Sequence, residues 1–180
     1  MEVPERPLSA VTFEDLALPL FDQLYNFAHW LTQDRPEAED LVQETYAKAL
    51  RGFSGFQPGT NFRAWMFRIL RNSFLTSRTG LKPTEALDEE TVDTVASADP
   101  SPERMLLDQA DRDTVRAALM KLSVPFREIL LMCDVEEMSY EEMAQVLAIP
   151  TGTVMSRLHR ARKALRIVLV DQFQKGTHGV

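Results

Sequence analysis

Cysteine is almost missing from this chain: Cys133 stands alone, so no intrachain disulfide can form. It sits in the apolar run ILLMCDV, where a small buried hydrophobe fits better than a redox sensor. Histidine is nearly as scarce. His29, His159 and His178 are scattered, and with one thiol they cannot assemble a zinc set. No nucleophile–base pair stands out, and the seven glycines form no phosphate-cradling loop. The acids Asp88, Glu89 and Glu90 read as linker composition before they read as a metal site. These shortages set an enzyme aside: no catalytic residue, no metal ligand and no cofactor is expected. No run approaches the roughly 20 apolar residues of a membrane span. The start, MEVPERPLSA, lacks the basic residues and apolar stretch of a signal peptide, so a cytoplasmic location without membrane insertion is expected. No segment alternates with period two for long enough to make a strand. What remains is ordinary globular composition, 44% hydrophobic and 26% charged.

Acids are absent from two particular places. The formal charge is −7 overall, which argues against a general nucleic-acid coat. Yet Phe62 to Lys82 holds Arg63, Arg68, Arg71, Arg78 and Lys82 with no Asp or Glu. Thr153 to Arg166 is equally free of acid. Between them, Pro83 to Asp113 concentrates Glu85, Asp88, Glu89, Glu90, Asp93, Asp99, Glu103, Asp108, Asp111 and Asp113 against Arg104 and Arg112. Two basic patches separated by an acidic stretch point to two nucleic-acid contacts on a protein otherwise kept off bulk DNA.

Helical periodicity organises the rest. Residues 1–11 are rich in proline and expected to fray. Thr12 and Asp15 offer a cap, after which Leu16, Leu20, Leu24, Phe27 and Leu31 recur at helical spacing, with an irregular start near Pro19. Phe13, Phe21, Tyr25 and Trp30 add apolar bulk. Asp34 and Pro36 restart a helix that Gly52 can end, with Leu41, Val42, Thr45, Tyr46, Ala49 and Leu50 as its apolar face. Asp40, Gln43, Glu44 and Lys48 fall largely off that face, open to solvent or a partner. SGFQPGTN reads as a loop, and Thr60 or Asn61 can cap a third helix. On that helix Phe62, Trp65, Met66, Ile69, Leu70 and Phe74 fit a buried stripe, leaving Arg63, Arg68, Arg71, Asn72 and Arg78 for the remainder. Aromatics interleaved with arginines beside a loop can clamp single-stranded bases, although most of these aromatics, Trp65 included, can equally fill a core. Residues 79–100 lose periodicity and read as an acidic, mobile linker. Ser101-Pro102 starts the next helix, with Leu106, Leu107, Ala110, Val115, Ala118, Leu119 and Leu122 inside, and Ser123 caps PFREILLMCDV.

The stretch SYEEMAQVLAIPTGTVMSRLHRARKALR completes the pattern. Ser139 and Glu142 form a capping box, and Met143, Val146 and Leu147 face a core. Ile149-Pro150-Thr151-Gly152 breaks the helix, and Thr153 can cap a second one. That helix carries Val154, Leu158, Ala161 and Leu165 on one side, and Ser156, Arg157, His159, Arg160, Arg162, Lys163 and Arg166 on the other. The layout is that of a helix-turn-helix with its second helix in a DNA major groove. An αα-hairpin with a solvated basic face would look similar, but such a face usually mixes charge signs. Asp171 to Val180 is expected to trail off.

Three stretches together, AEDLVQETYAKAL, GFQPGTNFRAWMFRILRNSF and SVPFREILLMCDVEEMSYEEMAQVLAIPTGTVMSRLHRAR, resemble regions 2.2, 2.3–2.4 and 4 of the extracytoplasmic-function (ECF) sigma factors. These are sigma-70-type promoter-specificity subunits of bacterial RNA polymerase. The resemblance covers almost the whole chain. It implies an all-α fold of two small helical domains: region 2 at 1–80, a flexible acidic linker at 81–101, the region 4 helix-turn-helix at 102–174 and a tail at 175–180. It also implies that Asp40, Leu41, Gln43 and Glu44 dock on the β′ clamp helices of core polymerase, with the β flap a further partner. Phe56, Asn61, Arg63, Arg68, Arg71, Asn72 and Arg78 would open and read the −10 element as a single strand, the loop Phe56 to Asn61 trapping an extruded base. Thr153, Met155, Ser156, Arg157, His159, Arg160 and Arg162 would meet the −35 element as duplex, Arg157 and Arg162 serving phosphates or packing. Many relatives carry Lys or Arg where this chain has Met155, which cannot pair with a phosphate or a guanine edge and is left a thymine methyl or a sugar. Restraint by an anti-sigma factor until a stress signal arrives is also implied, and the region 4 stretch looks close to members whose inhibitor is a redox-sensing zinc protein. A dimeric operator-binding regulator and a sigma-like mimic that binds regulators but not DNA are the competing readings; the first needs neither the −10-like segment nor the polymerase-facing helix, and the intact basic helices weigh against the second.

Overall fold

Thr12 opens the first helix with a reciprocal cap: the Asp15 amide donates to its hydroxyl at 3.2 Å and its own amide donates to the Asp15 carboxylate at 3.1 Å. In this computed structural model, which describes residues 11–79 and 112–177, every regular element is helical. Helix α1 (Phe13–Ala17) passes through a 3₁₀ turn at Leu18–Leu20 into α2 (Phe21–Thr32). Pro19 explains the irregular start, since its ring is tolerated only where a helix begins. Gln33 ends α2 in the left-handed region at φ 56°, an unusual post for a side chain other than Gly or Asn. Asp34 then caps α3 (Arg35–Gly52), accepting from the Glu37 amide at 2.8 Å, with Pro36 in the first turn.

A 3₁₀ turn at Phe53–Gly55 and an irregular loop lead to α4 (Phe62–Thr79). Asn61 is its cap, accepting from the Ala64 amide at 2.9 Å. Helices α2, α3 and α4 pack on one another around Leu24, Phe27, Leu31, Leu41, Met66, Phe67, Leu70 and Phe74, all buried. Tyr46 ties α3 to the end of α1 through a hydrogen bond of 2.6 Å to the Ala17 carbonyl.

The second set is α5 (Arg112–Lys121), α6 (Val124–Leu130), α7 (Tyr140–Leu147) and α8 (Thr151–Thr177). The helices fall into two compact units, one holding α1 to α4 and the other α5, α6 and α8. The acidic linker, the helix start at Ser101-Pro102 and the residues Leu106, Leu107 and Ala110 lie outside the described residues. Ser123 precedes α6 as expected, but its hydroxyl makes no capping bond; Pro125 supplies the start instead. A π turn at Leu131–Val135 extends α6, closed by the Glu136 amide on the Leu131 carbonyl at 3.0 Å. The Ser139–Glu142 capping box is present, at 3.0 and 3.1 Å.

The left-handed residue of the helix-turn-helix is Ala148, at φ 55°, just ahead of the break expected at Ile149-Pro150-Thr151-Gly152. It lets the Ile149 amide reach back to the Ala144 carbonyl at 3.2 Å, closing the end of α7. Thr153 is not a cap: α8 already begins at Thr151, and the Thr153 and Val154 amides both donate to the Pro150 carbonyl. The chain also does not trail off at Asp171, because α8 continues to Thr177. Buried Leu165 and Leu169 carry the core-facing stripe of Val154, Leu158 and Ala161 forward at helical spacing.

Candidate nucleic-acid interface

In the first unit the loop ahead of α4 is held before any ligand arrives. Phe56 stacks parallel to Phe53 at 6.2 Å and meets Phe62 and Trp65 at 5.2 and 5.1 Å. Aromatic contacts of this kind add about 0.5–1.5 kcal/mol each beyond area burial. Half-buried Phe56 is therefore an anchor, and the exposed tip is Gln57, Pro58, Gly59 and Thr60. Gly59 takes φ 87°, and the Thr60 hydroxyl donates to the Gln57 carbonyl at 2.7 Å. Trp65 and Ile69, expected inside, are half-buried.

The basic residues of α4 divide by role. Arg68 is exposed and makes no ion pair among the described residues. Arg63 donates to the Gln23 side chain at 2.9 Å and lies over the Phe67 ring at 5.5 Å, which fixes its direction while leaving it half-exposed. Arg78 is exposed but pairs with Glu37 at 2.9 Å and covers Phe74. Arg71 corrects the sequence reading: it is 3% exposed. Phe67, Leu70 and Phe74 surround its position on the helix, so it points inward, where it has partners of its own. Asn72 is half-buried. Asn61 spends its side-chain oxygen on the helix cap.

On α3, Asp40, Gln43 and Glu44 are exposed, as a docking face requires. Leu41 is 5% exposed and belongs to the core. Lys48, expected to be open, pairs with Glu44 and donates to the Ser73 hydroxyl at 2.9 Å, linking α3 to α4. Sequence reasoning missed the groove of about 440 Å³ beside Gln43, lined by Phe21, Tyr25, Arg35, Glu39 and Val42 as well. Phe21, Tyr25 and His29 stack in a parallel ladder along α2 at 6.4 and 6.2 Å. In the sequence Phe21 and Tyr25 read as apolar bulk and His29 as an isolated histidine, whereas Phe21 is 48% exposed.

In the second unit, α8 buries Val154, Leu158 and Ala161 and turns Met155 and His159 to solvent. Ser156 is half-buried, and its hydroxyl donates to the Thr153 carbonyl at 3.1 Å. Arg157 and Arg160 are half-buried; the Arg160 Nε–H is shielded from solvent without a hydrogen bond. Arg162 is turned to packing: it bonds the Asp134 carboxylate at 3.2 Å and lies 3.6 Å from the Cys133 sulfur. The π turn presents Asp134 for this pair. Cys133 is only half-buried, so it is less enclosed than its apolar neighbours suggested. Among the described residues no cluster of His, Cys, Asp and Glu could hold a metal, and no helix is long and apolar enough to cross a membrane.

Comparison with known proteins bears on both units. The family model for Sigma-70 region 2 matches residues 19–82, and that for Sigma-70 region 4 matches residues 112–165. The chain is 35% identical over 164 residues to the ECF RNA polymerase sigma factor EcfG of Rhodopseudomonas palustris, covering 91% of this chain and 87% of the relative. The chain belongs to the ECF sigma factor family. It is 39% identical over 157 residues to SigE of Mycolicibacterium smegmatis, covering 86% of this sigma factor but 60% of the longer relative. Among solved structures, its fold is similar to the sigma factor RpoE of Bartonella quintana, determined in complex with the anti-sigma factor NepR, with 31% identity, TM-score 0.66 and coverage of 87% and 96%. For this sigma factor the two matched regions fall on α2–α4 and on α5–α8, the elements that carry the two candidate surfaces.

Proposed function

We propose that this sigma factor binds core RNA polymerase and directs initiation at promoters bearing its own −10 and −35 elements. The observation that carries the reading is the pairing of two surfaces on two units. In the first, a prebuilt aromatic loop suited to unstacked bases leads into α4, which carries exposed Arg68 and half-exposed Arg63. In the second, the opening turns of α8 stand clear of acid and turn His159 outward for duplex. Core polymerase docks on exposed Asp40, Gln43 and Glu44 and extends over the neighbouring groove at Phe21 and Tyr25. Leu41 supports that face from beneath. The chain performs no bond chemistry; its contribution is to bind, melt and position DNA for the polymerase, from a cytoplasmic location. An anti-sigma factor, of the kind seen with the Bartonella relative, restrains it by covering these surfaces.

Run-off transcription with core enzyme tests the reading. The expected result is transcription from a defined promoter set only when this chain is present. Specific binding to a palindromic operator without polymerase, and no promoter-specific transcript, would replace it with an operator-binding regulator.

A further inference from the structure

The cationic side of α8 carries one side chain of a different chemistry. Met155 is 53% exposed, and from Thr151 to Arg166 it is the large apolar residue that the fold leaves in water. Its neighbours fix its direction. Val154 before it is 0% exposed and Leu158 after it is 2% exposed, so the helix cannot rotate Met155 inward without lifting both from the core. Exposed His159 lies one turn further along the same side. Met155 therefore stands on the second turn of the helix, within the part that enters a major groove in this class of motif.

A thioether donates no hydrogen bond and accepts only weakly, so it contributes nothing to a phosphate or a guanine edge. Apolar surface left in water is unfavourable, and contact that removes it is favourable. The major groove offers one apolar feature on a base edge, the C5-methyl group of thymine. Ser156, the adjacent polar residue, has its hydroxyl bonded to the Thr153 carbonyl at 3.1 Å. We propose that Met155 is a specificity-determining residue that reads a thymine methyl in the −35 element. The proposal rests on the reading of α8 as the −35 helix and names the base feature that it selects.

The test separates the two. Holoenzyme selects active promoters from a library randomised over the −35 hexamer, and each thymine of the selected hexamer is then replaced singly by deoxyuridine. That exchange removes the methyl group and leaves every hydrogen-bonding atom. At one position deoxyuridine should weaken holoenzyme binding roughly fourfold, the equivalent of one buried methyl group. Met155→Ala holoenzyme should be indifferent to the same exchange and should relax selection at that position, while Met155→Leu should retain both effects. Because Met155 is exposed, circular dichroism melting should show all three proteins folded alike. Indifference of the native holoenzyme to deoxyuridine at every position, a hexamer without thymine, or a loss that persists undiminished in Met155→Ala would each overturn the proposal. So would weakened core polymerase binding by Met155→Ala without DNA, which would make the methionine a protein contact. If no −35 preference is selected at all, the reading of α8 itself falls.

Discussion

Arg127 lies in the second unit, is 8% exposed, and is placed to hold two helices together. Its Nε donates to the Leu119 carbonyl at 3.1 Å, and its Nη2 donates to the carbonyls of Met120 and Leu122 at 3.2 Å. Those carbonyls end α5 (Arg112–Lys121), where a helix runs out of its own donors and carries partial negative charge. A hydrogen bond from a charged donor contributes about 1.5–3 kcal/mol, and bonds of this length belong at the lower end. Ordering the arginine costs about 2 kcal/mol of rotamer freedom and offsets part of the sum. Arg127→Ala should therefore destabilise the second unit by about 3 kcal/mol, because three charge-assisted bonds at the helix end are lost together, although the Leu119 carbonyl keeps the Leu122 amide at 3.1 Å. In urea this moves the midpoint down by roughly 1–3 M for a slope of the usual size. Arg127→Lys should recover only part, since one ammonium cannot span three acceptors as a planar fork does. Far-ultraviolet circular dichroism against urea reads the result. A midpoint within about 0.3 M of the native protein for Arg127→Ala would refute this account of the α5 terminus, being too small for even one such bond.

Ala148→Gly should raise stability by about 0.5–1 kcal/mol, because φ 55° strains an alanine but not a glycine; an unchanged or lower melting temperature would count against it. Tyr46→Phe removes the bond to the Ala17 carbonyl and should cost about 1 kcal/mol near neutrality. Burial, and then the charge of Asp22, raises the Tyr46 phenol above its usual 10.0, so its contribution is full below that pH and is lost as pH climbs through the raised value. The phenylalanine variant should show a flatter alkaline limb in stability measured against pH. Arg68→Ala should lower open-complex formation, read by permanganate reactivity of the −10 thymines, while changing stability by less than about 0.5 kcal/mol. Arg71→Ala should do the reverse first, lowering the melting temperature before any promoter effect can be assigned.

What the sequence disclosed was mostly local. Both capping boxes, the Asp34 cap and the asparagine that starts α4 are short-range patterns, since the bonds they make span three residues. The basic segments were legible because charge pattern needs no tertiary knowledge. Burial at the edge of a stripe was not. Arg71 sits beside Leu70 and three residues before Phe74, where a few degrees of helix rotation decide between solvent and core. Ala148 was hidden because intrinsic preference favours glycine in the left-handed region, and nothing local marks an alanine for that post. The Arg162–Asp134 pair depends on a π turn, for which the sequence carries no marker.

Sorting the arginines by what they touch changes how the net charge of −7 bears on function. Within the two cationic stretches Arg71 is interior, and Arg78 and Arg162 are paired with carboxylates. A chain read as two cationic stretches therefore offers DNA fewer available charges than its sequence suggests. Each phosphate neutralised steepens the fall of log affinity with log salt by roughly 0.9, so a short set of contacts gives weak, shallow binding. Acid elsewhere on the chain adds repulsion from the same phosphates. The isolated chain is therefore expected to bind promoter duplex weakly, and useful occupancy then requires a partner that brings both surfaces to one promoter. Core polymerase can supply that by tethering, because contact at one element raises the local concentration of the other without any new protein–DNA bond. On the proposed reading, specificity can consequently rest on a few side chains of modest individual strength, with Arg68 over melted bases and Met155 over a paired one.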